Sequence, residues 1–414
     1  MNELSLSVHS EIGVLDTVLV HTPGNEMKLV SPENREDLLF EDILFLNLAR
    51  EEHEMMCAVC EKVVGPGGSV LQISDLLKTS FEQADARHDF VDRVCRLLPL
   101  QNLQAFDSEL KQLSADDLWY FALTGVSSLP IHALPLPNLM FTRDVAAVVC
   151  DHIILSHPAT SARARESIIM HVVLSYHPAF SGMKDQILEL PPGVTFEGGD
   201  LLVASDSVVI IGHSQRTSFG GVMSITKHLL KRTGIEHVLM VNLPKERSYM
   251  HLDTVFTFIS DTECVTFPPI IDLDGLNNVV SFSAGTGSAD LHTTTHQNMR
   301  SGLSALLGRE IEFIPCGGND PLSQRREQWT DGANLFALAP GVVMGYDRNI
   351  RTYEEMTKYG YRVVSANGFL SNYKESSFEP DEKLAIKLNG HELSRGRGGP
   401  RCMTLPLSRN RATE

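Results

Sequence analysis

Cys402 stands apart from the other cysteines of the chain, because its neighbours in "LSRGRGGPRCMTLPLSR" are Arg and Gly rather than Leu and Val. Cations beside a thiol favour the thiolate, which is the form that attacks carbon. Three aspartates provide a second signal: Asp144 in "FTRD", Asp200 in "FEGGD" and Asp253 in "MHLD", with Arg143, Glu197 and His251 beside them. One such aspartate is ordinarily a turn or cap residue. Three at the same phase of three hairpin-like stretches make a set. Carboxylates gathered in a protein interior repel and desolvate one another, so they need a cation. A hard metal ion could take Asp144, Glu197, Asp200, His251 and Asp253 as ligands. A guanidinium is the alternative, since its planar N–H donors match carboxylates in bidentate pairs. The cysteine weighs in here. A thiolate with one histidine and several carboxylates suits covalent attack on a cationic carbon better than it suits calcium or magnesium.

Such residues act together only if the elements bring them together. "FTRDVAAVVCDHIILSH" reads as strand, turn, strand, followed by the helical "ARARESIIMHVVLSY". "FEGGDLLVASDSVVIIGH" repeats the hairpin and is followed by the helical "FGGVMSITKHLLKRTG" and the strand "IEHVLMVNL". "MHLDTVFTFISDTECVTF" and "WTDGANLFALAPGVVMGY" are a third and a fourth hairpin, the last followed by "TYEEMTKYG" and "YRVVSA". Units of β-β-α-β kind repeated along a chain point to a radial or stacked architecture. In a radial one, equivalent strand ends converge and the three aspartates meet. Upstream, "GVLDTVLVHTPG" reads as a strand, and Ser31, Pro32 and Gly65 bracket one or two amphipathic helices. Residues 75–125 change to short helical segments with polar caps, an insertion into the repeat pattern. The tail "CMTLPL" reads as a strand.

Composition narrows the class. With 43% hydrophobic and 21% charged residues, the 414-residue chain has the makings of a sizeable core. A formal charge of −17 speaks against sequence-independent nucleic-acid binding and for a site that attracts cations. No apolar run has the length of a membrane span, and "MNELSLSVHSEIG" lacks the features of a secretory signal, so a cytoplasmic protein is expected. The seven scattered cysteines do not suggest a disulfide framework, and the C-x-x-C of "MCAVC" reads as two buried helix cysteines.

The stretches "VHSEIGVLDTVLVHTPG", "LLFEDILFLNLAREEH", "PNLMFTRD", "RARES", "FEGGDLL", "IGHSQRTS", "MHLDTVF", "CGGNDPLSQRREQWTDGANLFALAPG" and "LSRGRGGPRCM", in that order over nearly the whole chain, resemble bacterial arginine deiminases. These belong to the guanidino-group-modifying superfamily. The resemblance implies an α/β fold, a five-bladed pseudo-fivefold α/β propeller of ββαβ modules over residues 1–74 and 126–414, with a small helical domain inserted at 75–125. It implies hydrolysis of free L-arginine to citrulline and ammonia, with neither metal nor cofactor. Cys402 matches the nucleophile, His251 and Glu197 the acid/base pair, and Asp144 and Asp253 the carboxylates that grip the guanidinium. Asn138, Phe141, Arg163, Asp200, Arg216, Gly396 and Arg397 match positions around the substrate. The expected partner is the small-molecule substrate alone, with no nucleic acid or membrane, and the expected assembly is a homo-oligomer. Pro400 and Arg401 depart from the small residue and His that some relatives carry before the nucleophile. An amidinotransferase would pass the same carbon to an amine, a non-catalytic binder would lack the intact residue set, and a metal hydrolase would be stopped by a chelator.

Overall fold

Alternation of apolar residues around short Asp- and Gly-containing turns produces hairpins, and the computed structural model has them where the pattern places them. It describes residues 4–97, 106–131, 133–272, 279–285, 290–374, 378–379 and 381–410. In the first hairpin, Ala146–Val149 pairs antiparallel with His152–Leu155, which pairs parallel with Ile187–Leu188 after the helix Ala164–Tyr176. Leu201–Val203 and Val208–His213 form the second, with helix Phe219–Arg232 and the parallel strand His237–Asn242. Two further strands, Val279–Ala284 and Leu291–His296, extend that sheet. Phe256–Phe258, Glu263–Thr266 and Glu312–Pro315 form the third sheet. In the fourth, Phe336–Ala339 and Val342–Tyr346 make the hairpin, and Leu384–Leu388 lies parallel between Val342–Tyr346 and Arg362–Ser365.

A fifth unit of the same kind joins the two ends of the chain. Leu405–Asn410 pairs antiparallel with Val14–Val20, helix Leu46–Val64 follows, and Ser69–Gln72 pairs parallel with Val14–Val20. These are mixed sheets in an α/β fold; among the described residues none closes on itself. Strands such as Val208–His213 are buried along nearly their whole length, as parallel pairing with covered faces requires.

The helices Ile73–Ser80, Ala84–Cys95, Asp107–Lys111 and Ala115–Thr124 account for the helical reading of 75–125, of which residues 98–105 lie outside those described. Ile73–Ser80 and Ala84–Cys95 pack on Ala164–Tyr176, Asp107–Lys111 packs on Ala84–Cys95 and Ala115–Thr124 on Ile73–Ser80, and Phe90, Leu118 and Phe121 share one hydrophobic cluster with Ile153 and Val173. Cys57 and Cys60 are buried in helix Leu46–Val64, as the apolar context of "MCAVC" indicates.

One expectation is corrected. The helical reading from Ser31 onward holds only for Leu46–Val64, whose N-cap is Phe45; residues 31–45 form turns. The physical reason is tertiary. Leu39 adopts φ +65°, which no α-helix admits, and the carbonyls of Leu38 and Leu39 accept from Asn138 and Arg247 rather than from their own segment.

Candidate active site

Short 3₁₀ turns precede the first strands of three hairpins: Thr142–Val145, Gly198–Asp200 and Leu252–Thr254. Consecutive turns pack against each other. The contacts continue through the other two units. Asn334 Nδ2 donates to the Asp253 carbonyl at 3.0 Å, Cys402 N donates to Asn334 Oδ1 at 3.1 Å, and Arg143 N donates to the Cys402 carbonyl at 3.0 Å. The residues leading into the first strands of four hairpins and of the fifth, split unit thus form a continuous ring of contacts, and Asp144, Asp253 and Cys402 belong to it.

A small cavity opens at this ring, lined by Leu39, Asn138, Phe141, Asp144, Arg163, Arg216, Arg247, Met250, His251, Gly396, Arg397 and Cys402. The Cys402 thiol is buried, 3.8 Å from Asp253 Oδ2. Burial, with Asp253, Asp144 and Asp331 nearby, pushes its pKa well above the usual thiol value, against a smaller opposing pull from Arg401. His251 Nε2 lies 2.9 Å from Glu197 Oε2, and its Nδ1 lies 3.6 Å from Asp144 Oδ1. Burial alone would discharge this imidazole, but Asp144, the Glu197 hydrogen bond and Asp200 outweigh it and raise its pKa to about 9. Glu197 is held ionised in return: burial opposes its charge, while His251, Arg216 and Arg163 lower its pKa.

Asp144 and Asp253 each have one carboxylate oxygen engaged and one without a hydrogen bond. Asp144 Oδ2 accepts from Arg163 Nη1 at 2.5 Å, and Asp253 Oδ2 accepts from Arg401 Nη1 at 2.7 Å. Asp144 Oδ1 and Asp253 Oδ1 are buried and make no hydrogen bond, although His251 Nδ1 stands 3.6 Å from the former. Unsatisfied buried carboxylate oxygens are costly, and that of Asp144, which lines the cavity, can accept from a cation that enters it. Asp253 reaches the site through its contact with the Cys402 thiol and is not itself in the lining.

The remaining matched residues fall into place unevenly. Arg163 is held by Glu166 at 2.8 Å from Nη2, as well as by Asp144. Arg216 Nη1 lies 3.4 Å from Glu197 Oε1 and is otherwise lightly engaged. Phe141 packs on Gly396 and Gly398, and at Gly398 a side chain would collide with its ring. Asp200 does not line the cavity: Oδ2 accepts from Ser214 and Thr217 at 2.6 Å each, and Oδ1 accepts from Leu252 N at 2.9 Å. It fastens one turn to the next. Leu39, Arg247 and Met250 line the cavity without having been singled out in the sequence, and Glu11, which accepts from Arg401 Nε at 3.1 Å, supports the wall behind Asp253.

Asp144, Glu197 and His251 bring one ligand atom each within 4.8 Å of one another, a spacing that could hold a metal ion. Their charge is already met by guanidinium groups: Arg163 contacts both carboxylates, and Arg216 contacts Glu197. This donor set is therefore better matched to guanidinium chemistry than to a hard cation.

Comparison with known proteins agrees. The family model for arginine deiminase matches residues 120–409. The arginine deiminase of Listeria welshimeri is 35% identical over 98% of this chain and 99% of its own length, and that of Listeria monocytogenes is 33% identical over 98% of each. Among solved structures, the N-terminal domain of ArgZ bound to substrate, an arginine dihydrolase from the ornithine–ammonia cycle in cyanobacteria, covers 95% of this chain and 98% of that one with a TM-score of 0.53 and 13% identity. A dimethylarginine dimethylaminohydrolase adduct with S-methyl-L-thiocitrulline covers 95% and 99% with a TM-score of 0.51 and 15% identity, a likeness of fold. With a family model spanning most of the chain and full-length relatives above 30% identity, the chain belongs to the arginine deiminase family.

Proposed function

We propose that the protein hydrolyses free L-arginine to L-citrulline and ammonia through a covalent intermediate on Cys402. The observation that carries this reading is one cavity that brings together the Cys402 thiol, the His251 imidazole and the Asp144 carboxylate, whose Oδ1 makes no hydrogen bond, with Asp253 3.8 Å from the thiol. A planar guanidinium supplies N–H donors to both carboxylates, and its positive charge favours the thiolate that the free site suppresses. Sulfur then adds to the central carbon. Protonated His251 gives its proton to one nitrogen, the C–N bond breaks and ammonia leaves, so a thiouronium remains on sulfur. The neutral imidazole takes a proton from water, hydroxide adds to the same carbon, and the C–S bond breaks to return the thiolate and citrulline. Glu197, hydrogen-bonded to His251, orients the ring and supports its charged form. Arg216 is read as the partner of the substrate α-carboxylate, with Asn138, Phe141, Arg163, Gly396 and Arg397 shaping the space around the amino-acid end.

The same reading takes the five ββαβ sheets as blades about a pseudo-fivefold centre, supported by the ring of contacts that joins their leading turns. Residues 75–125 would be the helical insertion of a catalytic domain formed by 1–74 and 126–414. The enzyme is read as cytoplasmic and as an assembly of identical copies, for which light scattering of the purified protein is the direct check.

The decisive experiment incubates the protein with L-arginine and water alone and measures citrulline and ammonia, with and without chelator, beside Cys402→Ala. Stoichiometric products from the wild type, none from the folded variant and no effect of chelator are expected. Appreciable turnover by Cys402→Ala sinks the covalent mechanism.

A further inference from the structure

Arg397 combines three features that a passive wall residue would not need. Its backbone is left-handed, at φ +64° without being glycine, a conformation that costs free energy unless the surroundings impose it. Its side chain is buried at the cavity wall with Nη1 unpartnered. Its guanidinium carbon lies 3.3 Å from the centroid of the Trp329 ring. Trp329 ends the helix Pro321–Trp329, is 43% exposed and does not line the cavity. Asp331, also non-glycine at φ +63° and buried with Oδ2 unpartnered, adds an attractive charge to Arg397 from the same loop.

We propose that Trp329 is a positioning residue for substrate binding: its ring face fixes the Arg397 guanidinium so that Nη1 stays directed at the cavity. The inference rests on the reading of Arg397 as a substrate contact and goes beyond it by assigning the residue that holds it. Five donors on a flexible stem explore many directions, and an aromatic face restricts them to one plane while leaving the edge N–H groups free. The Trp329 ring is otherwise a partly exposed apolar surface.

The test is a double-mutant cycle read as KM and kcat for L-arginine in wild type, Trp329→Phe, Trp329→Ala, Arg397→Ala and the double variant. Trp329→Ala should raise KM about tenfold, the size of a partly desolvated cation–π contact, with kcat within about twofold. Trp329→Phe, which keeps a ring face, should recover most of that loss. Trp329→Ala should cost nothing further in the Arg397→Ala background. Independent, multiplying effects, or a loss in kcat at unchanged KM, would overturn the assignment. A second readout needs no turnover. The chain has two tryptophans, Trp119 and Trp329, so a change of emission between wild type and Arg397→Ala reports the stacked pair. Identical spectra overturn the stacked pair whatever the reaction. Wild type without citrulline would instead remove the proposed reaction, while the emission change would still establish the seat.

Discussion

At the scale of single residues, the site separates groups that must stay charged from one that must not be charged too early. The imidazolium of His251 is the form that can give a proton to ammonia, and its pKa is raised to about 9. The kcat/KM for arginine should therefore persist through neutral pH and fall as pH rises through about 9. Stability follows the same sign. A histidine raised in the folded state contributes stability that is complete below its ordinary value of about 6.5 and is lost as pH rises through about 9. A kcat/KM–pH profile and a melting series check both, and an alkaline limb about two units lower would assign the role to another group. Arg216 tests selectivity. Arg216→Ala should cost arginine about tenfold or more in kcat/KM and leave agmatine, which has no carboxylate, nearly unaffected. Equal losses would show that it does not read the carboxylate. The residues that carry such chemistry were legible because Cys402, His251 and the aspartates are rare types in marked contexts. Arg247, Met250 and Trp329 were not, since an arginine or apolar residue becomes part of a site only through the loop that carries it.

At the scale of elements, the turns before the strands set the geometry. Gly199 shows how little slack they have: a Cβ there would lie 2.7 Å from His251 Nδ1 and 2.9 Å from Asp144 Oδ1. Both contacts are too close, so either the imidazole or the carboxylate must move. Gly199→Ala should lower kcat/KM by about 100-fold, since a shift near 1 Å at reacting groups has that effect. Thermal unfolding should change by only a few degrees, on the order of 1 kcal/mol. A large melting loss with normal turnover of the folded fraction would place the cost in the scaffold instead. The hairpins and their helices were readable from alternation and caps, because local pattern and tertiary demand agree there. They disagree at residues 31–45. The helical signals around Ser31 and Pro32 are real, but the segment covers the cavity, and its backbone is fixed by Asn138 and Arg247. Local propensity yields to such contacts.

At the scale of the whole molecule, Cys402, the proposed nucleophile, belongs to a unit split between the two ends of the chain. Four hairpins could be read in the sequence because both strands are neighbours; the fifth could not, because Val14–Val20 meets Leu405–Asn410 from the opposite end. Register pairs Leu19 with Leu405 and Val14 with Asn410, and Leu405 and Leu407 are fully buried. Arg409 Nη1 donates to the Gly13 carbonyl at 2.7 Å, which ties the strand to the start of its partner. The tail is thus structural as well as the carrier of the proposed nucleophile, and two changes separate these roles. Leu407→Ala should destabilise the fold by about 2–5 kcal/mol, as buried leucine truncations do, while leaving kcat of the folded protein unchanged. Deleting residues 405–414 keeps Cys402 but removes a whole strand. The two buried leucines alone account for roughly 3–6 kcal/mol, and the strand hydrogen bonds add to this, an amount comparable with the entire stability of a typical domain. That deletion should abolish cooperative unfolding and citrulline formation together. A truncated chain that melts cooperatively and still turns over arginine would show that the closing strand is dispensable and that Cys402 is held by the preceding turn alone.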